Sequence, residues 1–307
     1  MIHQIDFNGK DKVDKAIMRL QTYEPEEGYY LCFSGGKDSV VIKALADMAG
    51  VKYDAHYRVT SVDPPELVRF IKKEYPEVEW DYPRDKNGNR ISMWTLIPTK
   101  SMPPTRLARY CCAILKESGG GGRLKITGVR WAESSRRKIS HGEVTIMNKK
   151  AKQIAEQEYS HIAYKITPQG GVALPLDNRE NAQMVEQCYR TRDTTINPII
   201  DWTDDEVWEF IKEYNIPYCE LYDKGYTRLG CIGCPMGGNK GMRKEFDDYP
   251  KYKPLYLMAF DKMLQANREK GIISKKDWRT AEDVMRWWMM EDNRTGTDIM
   301  SLTAEEE

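Results

Sequence analysis

Apolar positions in the first part of the chain follow two rhythms. Val13, Ile17 and Leu20, with Ala16 between them, recur at helical spacing and predict an amphipathic helix. Tyr29-Tyr30-Leu31-Cys32-Phe33 is short, aromatic and largely apolar, the pattern of a buried central strand. After Ser34-Gly35-Gly36-Lys37-Asp38-Ser39, the residues Val41, Ala44, Leu45 and Met48 return to helical spacing until Gly50, a natural stop. Val51 to His56 supplies the next strand. Asp63-Pro64-Pro65-Glu66 then opens a helix with Leu67, Phe70 and Ile71 as its buried face.

Further along, Lys125 to Val129 reads as a strand, and Thr203-Asp204-Asp205-Glu206 caps a helix carrying Val207, Trp208, Phe210 and Ile211. Strands alternating with helices predict an α/β fold with a doubly wound parallel sheet. The sequence divides into an α/β domain over 1–238 and a helical C-terminal extension over 239–307. Residues 138–171 are polar and weakly periodic and read as an insertion. Gly119 to Gly122 reads as a mobile surface loop.

Lysine plus arginine and aspartate plus glutamate both number 47, so no overall field draws in nucleic acid or an anionic membrane. A polyanion must be held locally. Met1 to Asp6 lacks the build of a signal peptide and no stretch is apolar for long enough to span a bilayer, which gives a cytoplasmic expectation with no membrane partner. In a reducing compartment the seven cysteines read as thiols or metal ligands.

A glycine pair between a buried strand and a helix lets the backbone approach a ligand closely, and the helix start favours an anion. Ser34, Gly35, Gly36, Lys37, Asp38 and Ser39 are therefore the candidate phosphate-binding residues. The serines offer hydroxyls, Lys37 a positive charge, and Asp38 a carboxylate for magnesium or for orienting the loop. The spacing matches neither the ordinary P-loop nor the dinucleotide turn.

Cys231 and Cys234 form a Cys-x-x-Cys pair among Gly230, Gly233 and Pro235, a turn able to aim two sulfurs at one metal. Cys111 and Cys112 are sequence neighbours whose side chains diverge on a helix, awkward for one zinc and better suited to different irons of a cluster. Structural zinc and unrelated buried thiols are the alternatives. Cys32 reads as core, and Cys188 and Cys219 lack a partner at metal spacing. Arg109, Lys116, Arg130, Arg136 and Arg137 offer charge for an anion, or a solvated basic surface.

Ser-Gly-Gly-Lys-Asp-Ser resembles the pyrophosphate loop of the adenine nucleotide α-hydrolase fold, and the chain resembles the phosphoadenosine phosphosulfate reductase family within it. The likeness runs through Arg109-Tyr110-Cys111-Cys112 with Leu115-Lys116, and Gly128-Val129-Arg130 with Glu133-Ser134 and Arg136. It resumes at Pro198 to Trp202, Val207-Trp208, Leu221-Tyr222, and Gly230 to Cys234. The resemblance implies that residues 1–238 bind an adenine nucleotide and that Arg130 and Lys116 lie near the substrate, with Lys37, Asp38, Lys116 and Arg130 as catalytic candidates. It also implies a 4Fe-4S cluster held by Cys111, Cys112, Cys231 and Cys234.

Reductases of that family attack the sulfate sulfur with a C-terminal cysteine, and no cysteine follows Cys234 here. The expectation is therefore an adenylating sulfurtransferase that uses ATP with magnesium as substrate and takes sulfur from a donor protein such as a cysteine desulfurase. Nucleic acid remains open as acceptor, and the oligomeric state is not readable. A sulfonucleotide reductase and a zinc-stapled nucleotide-binding module are the alternatives.

Overall fold

A computed structural model describes residues 1–6, 9–147, 149–158, 162–174, 184–186, 193–272, 276 and 278–289. The strands are β1 (Tyr29–Phe33), β2 (Tyr53–Arg58), β3 (Glu79–Asp81), β4 (Lys125–Ile126), β5 (Val144–Met147), β6 (Lys165–Ile166), β7 (Val172–Leu174) and β8 (Asp193–Ile196). The longer helices are α1 (Lys12–Thr22), α2 (Lys37–Ala49), α3 (Pro65–Glu74), α4 (Lys149–Glu158), α5 (Asp204–Glu213), α6 (Gly238–Asp248), α7 (Tyr252–Glu269) and α8 (Ala281–Trp288).

One sheet of eight strands runs in the order β3-β2-β1-β4-β8-β5-β7-β6. β2, β1, β4 and β8 are parallel, with Leu31 opposite Ala55 on one side and Ile126 on the other. β5, β7 and β6 continue the sheet antiparallel, Val144 facing Ile196 of β8. The expected parallel sheet is thus one half of a mixed sheet. The antiparallel half draws β5 and β6 from the polar stretch 138–171.

The chain forms two compact units. The first comprises 1–57, 66–80 and 119–229; the second comprises 58–65, 81–118 and 230–307. The C-terminal helices α6 to α8 therefore share a unit with two earlier segments.

In the first unit Tyr29 and Leu31 are wholly buried, as a strand covered on both faces requires. Helix α1 starts at a capping box in which Asp11 and Asp14 exchange hydrogen bonds with each other's backbone N–H. Gly50 ends α2 in the left-handed region at φ 68°, donating its N–H to the Asp47 carbonyl. Thr203 and Glu206 form the expected capping box of α5. Gly120 lies against Tyr30: a Cβ there would come within 2.7 Å of the ring, so this part of the glycine run is packed.

In the second unit Ile97, Leu115, Ile232, Met242, Phe246, Tyr256, Phe260, Met263 and Trp288 form a core. Trp288 buries its indole there and satisfies it by donating to the Pro104 carbonyl at 2.6 Å.

Candidate functional site

The first unit carries the candidate phosphate loop, residues 34–39. Gly35 has φ 73°, and a Cβ at that position would meet Leu67 and Ile71 at 2.7 and 2.8 Å, so only glycine fits the bend. Gly36 is extended and caps α2 without a side-chain bond. Ser39 Oγ donates to the Gly36 carbonyl at 2.8 Å and stands 3.2 Å from Ser34 Oγ, which pins the two ends of the loop together.

Lys37, Asp38 and Arg130 meet in one charge network. Arg130 is only 1% exposed. It donates through Nε to Asp38 Oδ1 at 2.7 Å, through Nη2 to Asp204 Oδ1 at 2.6 Å, and through Nη1 to the Trp202 carbonyl at 3.2 Å. Lys37 Nζ lies 3.2 Å from Asp204 Oδ1 and 3.6 Å from Asp38 Oδ2. The short reach to Asp38 depends on Gly128, where a Cβ would stand 2.9 Å from the Asp38 Cβ. Burial raises the Asp204 carboxyl, but its bonds to Arg130 and Lys37 outweigh burial and hold it below the ordinary range.

Two residues of this network carry no site signal in the sequence. Asp204 showed only as part of a helix cap, and Tyr222 as part of a motif. Tyr222 accepts the Lys37 backbone N–H at 2.8 Å, and its ring meets Trp208 edge-on with centroids 5.0 Å apart. Burial, with Asp38 nearby, raises its phenol, so it stays protonated and able to donate at the loop. Arg136 is exposed on the short helical turn Ser135–Ser140.

The second unit carries the cysteines. Cys111 precedes a π-helical turn over Cys112–Lys116, closed by a bond from the Glu117 N–H to the Cys112 carbonyl at 2.9 Å. Cys231 and Cys234 are held in a turn in which Gly233, at φ 72°, leaves no room for a side chain against Phe246, Tyr256 and Trp288. The Ile232 N–H donates to the Val62 carbonyl at 2.7 Å and Tyr256 Oη to the Ile232 carbonyl at 2.8 Å. The core thus fixes the direction of this pair.

All four thiols are free and half-buried. A hydrogen bond between Cys111 and Cys112, with burial and the charges of Cys231 and Cys234, raises the Cys111 thiol; the same bond, with Arg109 and Lys116, lowers that of Cys112. Burial pushes Cys231 up to about 12 against the pull of Lys116. Lys116, whose side chain is 39% exposed, is raised: its partial desolvation lowers it, but Cys231, Asp63 and Cys234 outweigh that. Asp63 Oδ2 accepts from Thr60 Oγ1 at 2.6 Å and Oδ1 lies 4.0 Å from Lys116 Nζ, so this carboxylate faces the lysine.

Four sulfurs with two cations beside them are a donor set suited to an iron–sulfur cluster, whose thiolates need neutralising charge. Among the described residues no three His, Cys, Asp or Glu side chains stand at the spacing of a single metal ion. Cys188 lies outside the described residues. Cys219 is wholly buried, and burial raises its thiol.

An α/β protein with a glycine turn between its first strand and the following helix in one unit, and four free thiols in the other, is the class these features define. Residues 28–236 match the family model described as the phosphoadenosine phosphosulfate reductase domain. The chain belongs to the phosphoadenosine phosphosulfate reductase family.

It is 23% identical over 253 residues to an adenosine 5'-phosphosulfate reductase of Staphylococcus epidermidis, covering 76% of this chain and 81% of the relative. To that of Oceanobacillus iheyensis it is 42% identical over 57 residues, 19% of this chain and about a quarter (24%) of the relative's length. A phosphoadenylyl-sulfate reductase from Candida auris, solved as a phosphate complex, superposes at TM-score 0.40 with 15% identity, over 71% of this chain and 88% of that one.

Proposed function

We propose that the protein is an ATP-dependent adenylating sulfurtransferase that carries a 4Fe-4S cluster on Cys111, Cys112, Cys231 and Cys234. The observation that carries the nucleotide half of this reading is the loop itself. Gly35 and Gly36 clear the approach, Ser34, Ser39 and Tyr222 present hydroxyls, and Lys37 supplies the cation. An acceptor oxygen attacks the α-phosphorus of magnesium ATP and the bond to the β-phosphate oxygen breaks. Pyrophosphate leaves with the bonding electron pair into the loop. The terminal sulfur of a persulfide on a donor protein such as a cysteine desulfurase then displaces AMP from the activated acceptor, and a thiol reductant cleaves the remaining S–S bond to release the thiolated product and the donor's cysteine.

In that sequence Lys37 neutralises charge on the leaving group, and Arg130 keeps Asp38 and the loop in register. Once bound, the cluster would supply iron-held sulfur chemistry at the four thiols, with Lys116 and Arg109 balancing their charge.

The second reading, a sulfonucleotide reductase releasing sulfite, is favoured by what the relatives are named. Pyrophosphate and sulfite release, measured in parallel with ATP and with adenylyl sulfate plus reductant, separates the two. Pyrophosphate from ATP in the presence of a thiolation acceptor supports the transferase; sulfite without pyrophosphate overturns it.

A further inference from the structure

Asp204 opens α5, yet the structure gives it a task beyond the helix end. One oxygen, Oδ1, is shared by two cations: Arg130 Nη2 at 2.6 Å and Lys37 Nζ at 3.2 Å. The two contacts differ in how replaceable they are. Arg130 is buried and has two further anchors, Asp38 and the Trp202 carbonyl, so it holds Asp204 in place. Among the described residues, the Lys37 ammonium has besides this only the longer contact to Asp38. The Asp204 side chain is 69% exposed, so its grip on Lys37 is open to competition from solvent and solutes.

We propose that Asp204 is an internal counter-ion for Lys37 that competes with phosphate for the loop's cation and thereby eases the departure of pyrophosphate. The proposal rests on the loop being a nucleotide phosphate site. A phosphate group reaching Lys37 must displace one carboxylate contact, and Asp204, still tethered by Arg130, stays within reach to take the ammonium back. The loop's attraction for a polyanion is thereby kept below what its lysine and hydroxyls would otherwise give. Asp204 is a positioning residue here, since it acts through Lys37.

The substitution that isolates this role is Asp204→Asn. An asparagine keeps an oxygen in place to accept from Arg130 and removes the charge that competes for Lys37. Titration calorimetry with inorganic pyrophosphate is run on the full-length wild type, Asp204→Asn and Asp204→Glu. The dissociation constant is expected to fall roughly fivefold in Asp204→Asn, the scale of one exposed charge contact, and to stay near wild type in Asp204→Glu. A prop for the loop would do the opposite, since losing it loosens the site.

The gain is also expected to vanish in a Lys37→Ala background, because the competition runs through that ammonium. Binding by Asp204→Asn that is unchanged or weaker, or a gain that persists without Lys37, overturns the proposal. A wild type that binds pyrophosphate normally while Asp204→Asn shows no gain removes the counter-ion role alone. A wild type that binds neither pyrophosphate nor ATP removes the phosphate-site reading as well.

Discussion

Arg130 Nε and Asp38 Oδ1 stand 2.7 Å apart although 92 residues separate them in the chain. The bond ties the strand-to-helix turn that carries the loop to the segment following β4. Because the guanidinium is buried and also grips Asp204 and the Trp202 carbonyl, three places in the sequence converge on one side chain. Arg130→Met should therefore destabilise the protein by about 2–3 kcal/mol, less than the loss of a wholly buried pair because Asp204 can turn to water. Arg130→Lys should recover only part of this, since one ammonium cannot replace a planar fork serving three acceptors. Urea unfolding followed by tryptophan fluorescence measures both.

Gly35 tests whether the loop's bend is obligatory. Gly35→Ala must place a Cβ on Leu67 and Ile71 at a positive φ, and should cost about 2–4 kcal/mol from backbone strain and overpacking together. Gly241, inside α6 with nothing within 4 Å of its missing Cβ, is the contrasting site. Gly241→Ala should leave stability unchanged or raise it by up to about 1 kcal/mol through helix propensity. Equal losses at both positions would mean that the Gly35 bend is not special.

Acid should loosen the start of α5. Burial raises the Glu206 carboxyl, but its bonds to Lys12 Nζ at 2.7 Å and to Thr203 outweigh burial and hold it below its ordinary value. A group whose folded pKa is depressed contributes stability above its unfolded pKa and loses it as pH falls through the folded one. Glu206→Gln should therefore be less stable than wild type near pH 7, and the difference should shrink as pH falls through the depressed folded pKa of Glu206. A difference that does not change with pH would assign the effect to packing.

Metal content separates the cysteines. Protein purified without oxygen should contain iron and acid-labile sulfide, and serine at Cys111, Cys112, Cys231 or Cys234 should each lower the iron. Cys219→Ala should leave it intact, since that thiol is wholly buried and belongs to the first unit, whereas the four candidate ligands belong to the second. Zinc in place of iron would support the stapled-module reading.

Which features the sequence disclosed follows from how local each one is. The capping box of α5 and the stop of α2 at Gly50 involve residues within a few positions of each other, and the spacing alone displays them. The grip of Arg130 on Asp38 and Asp204 spans 92 and 74 residues and leaves no periodic trace. Asp204 was read as a helix-cap residue because an acidic first turn is common for that reason alone. The antiparallel strands β5, β6 and β7 are two to four residues long, too short for alternation to show. The Met48 position broke the helical pattern from the other side: it fits the apolar spacing yet is 42% exposed. The adjacent cysteines and the Cys-x-x-Cys turn were visible at once, whereas the packing of Gly233 that aims the turn was not.

The mixed sheet has a consequence for where the chain breathes. β8 is bonded to β4 on one side and to β5 on the other, so its amides are locked from both flanks. Opening it requires the parallel and antiparallel halves to separate together, which makes β8 the seam whose hydrogen exchange should report unfolding of the whole sheet rather than fraying of an edge.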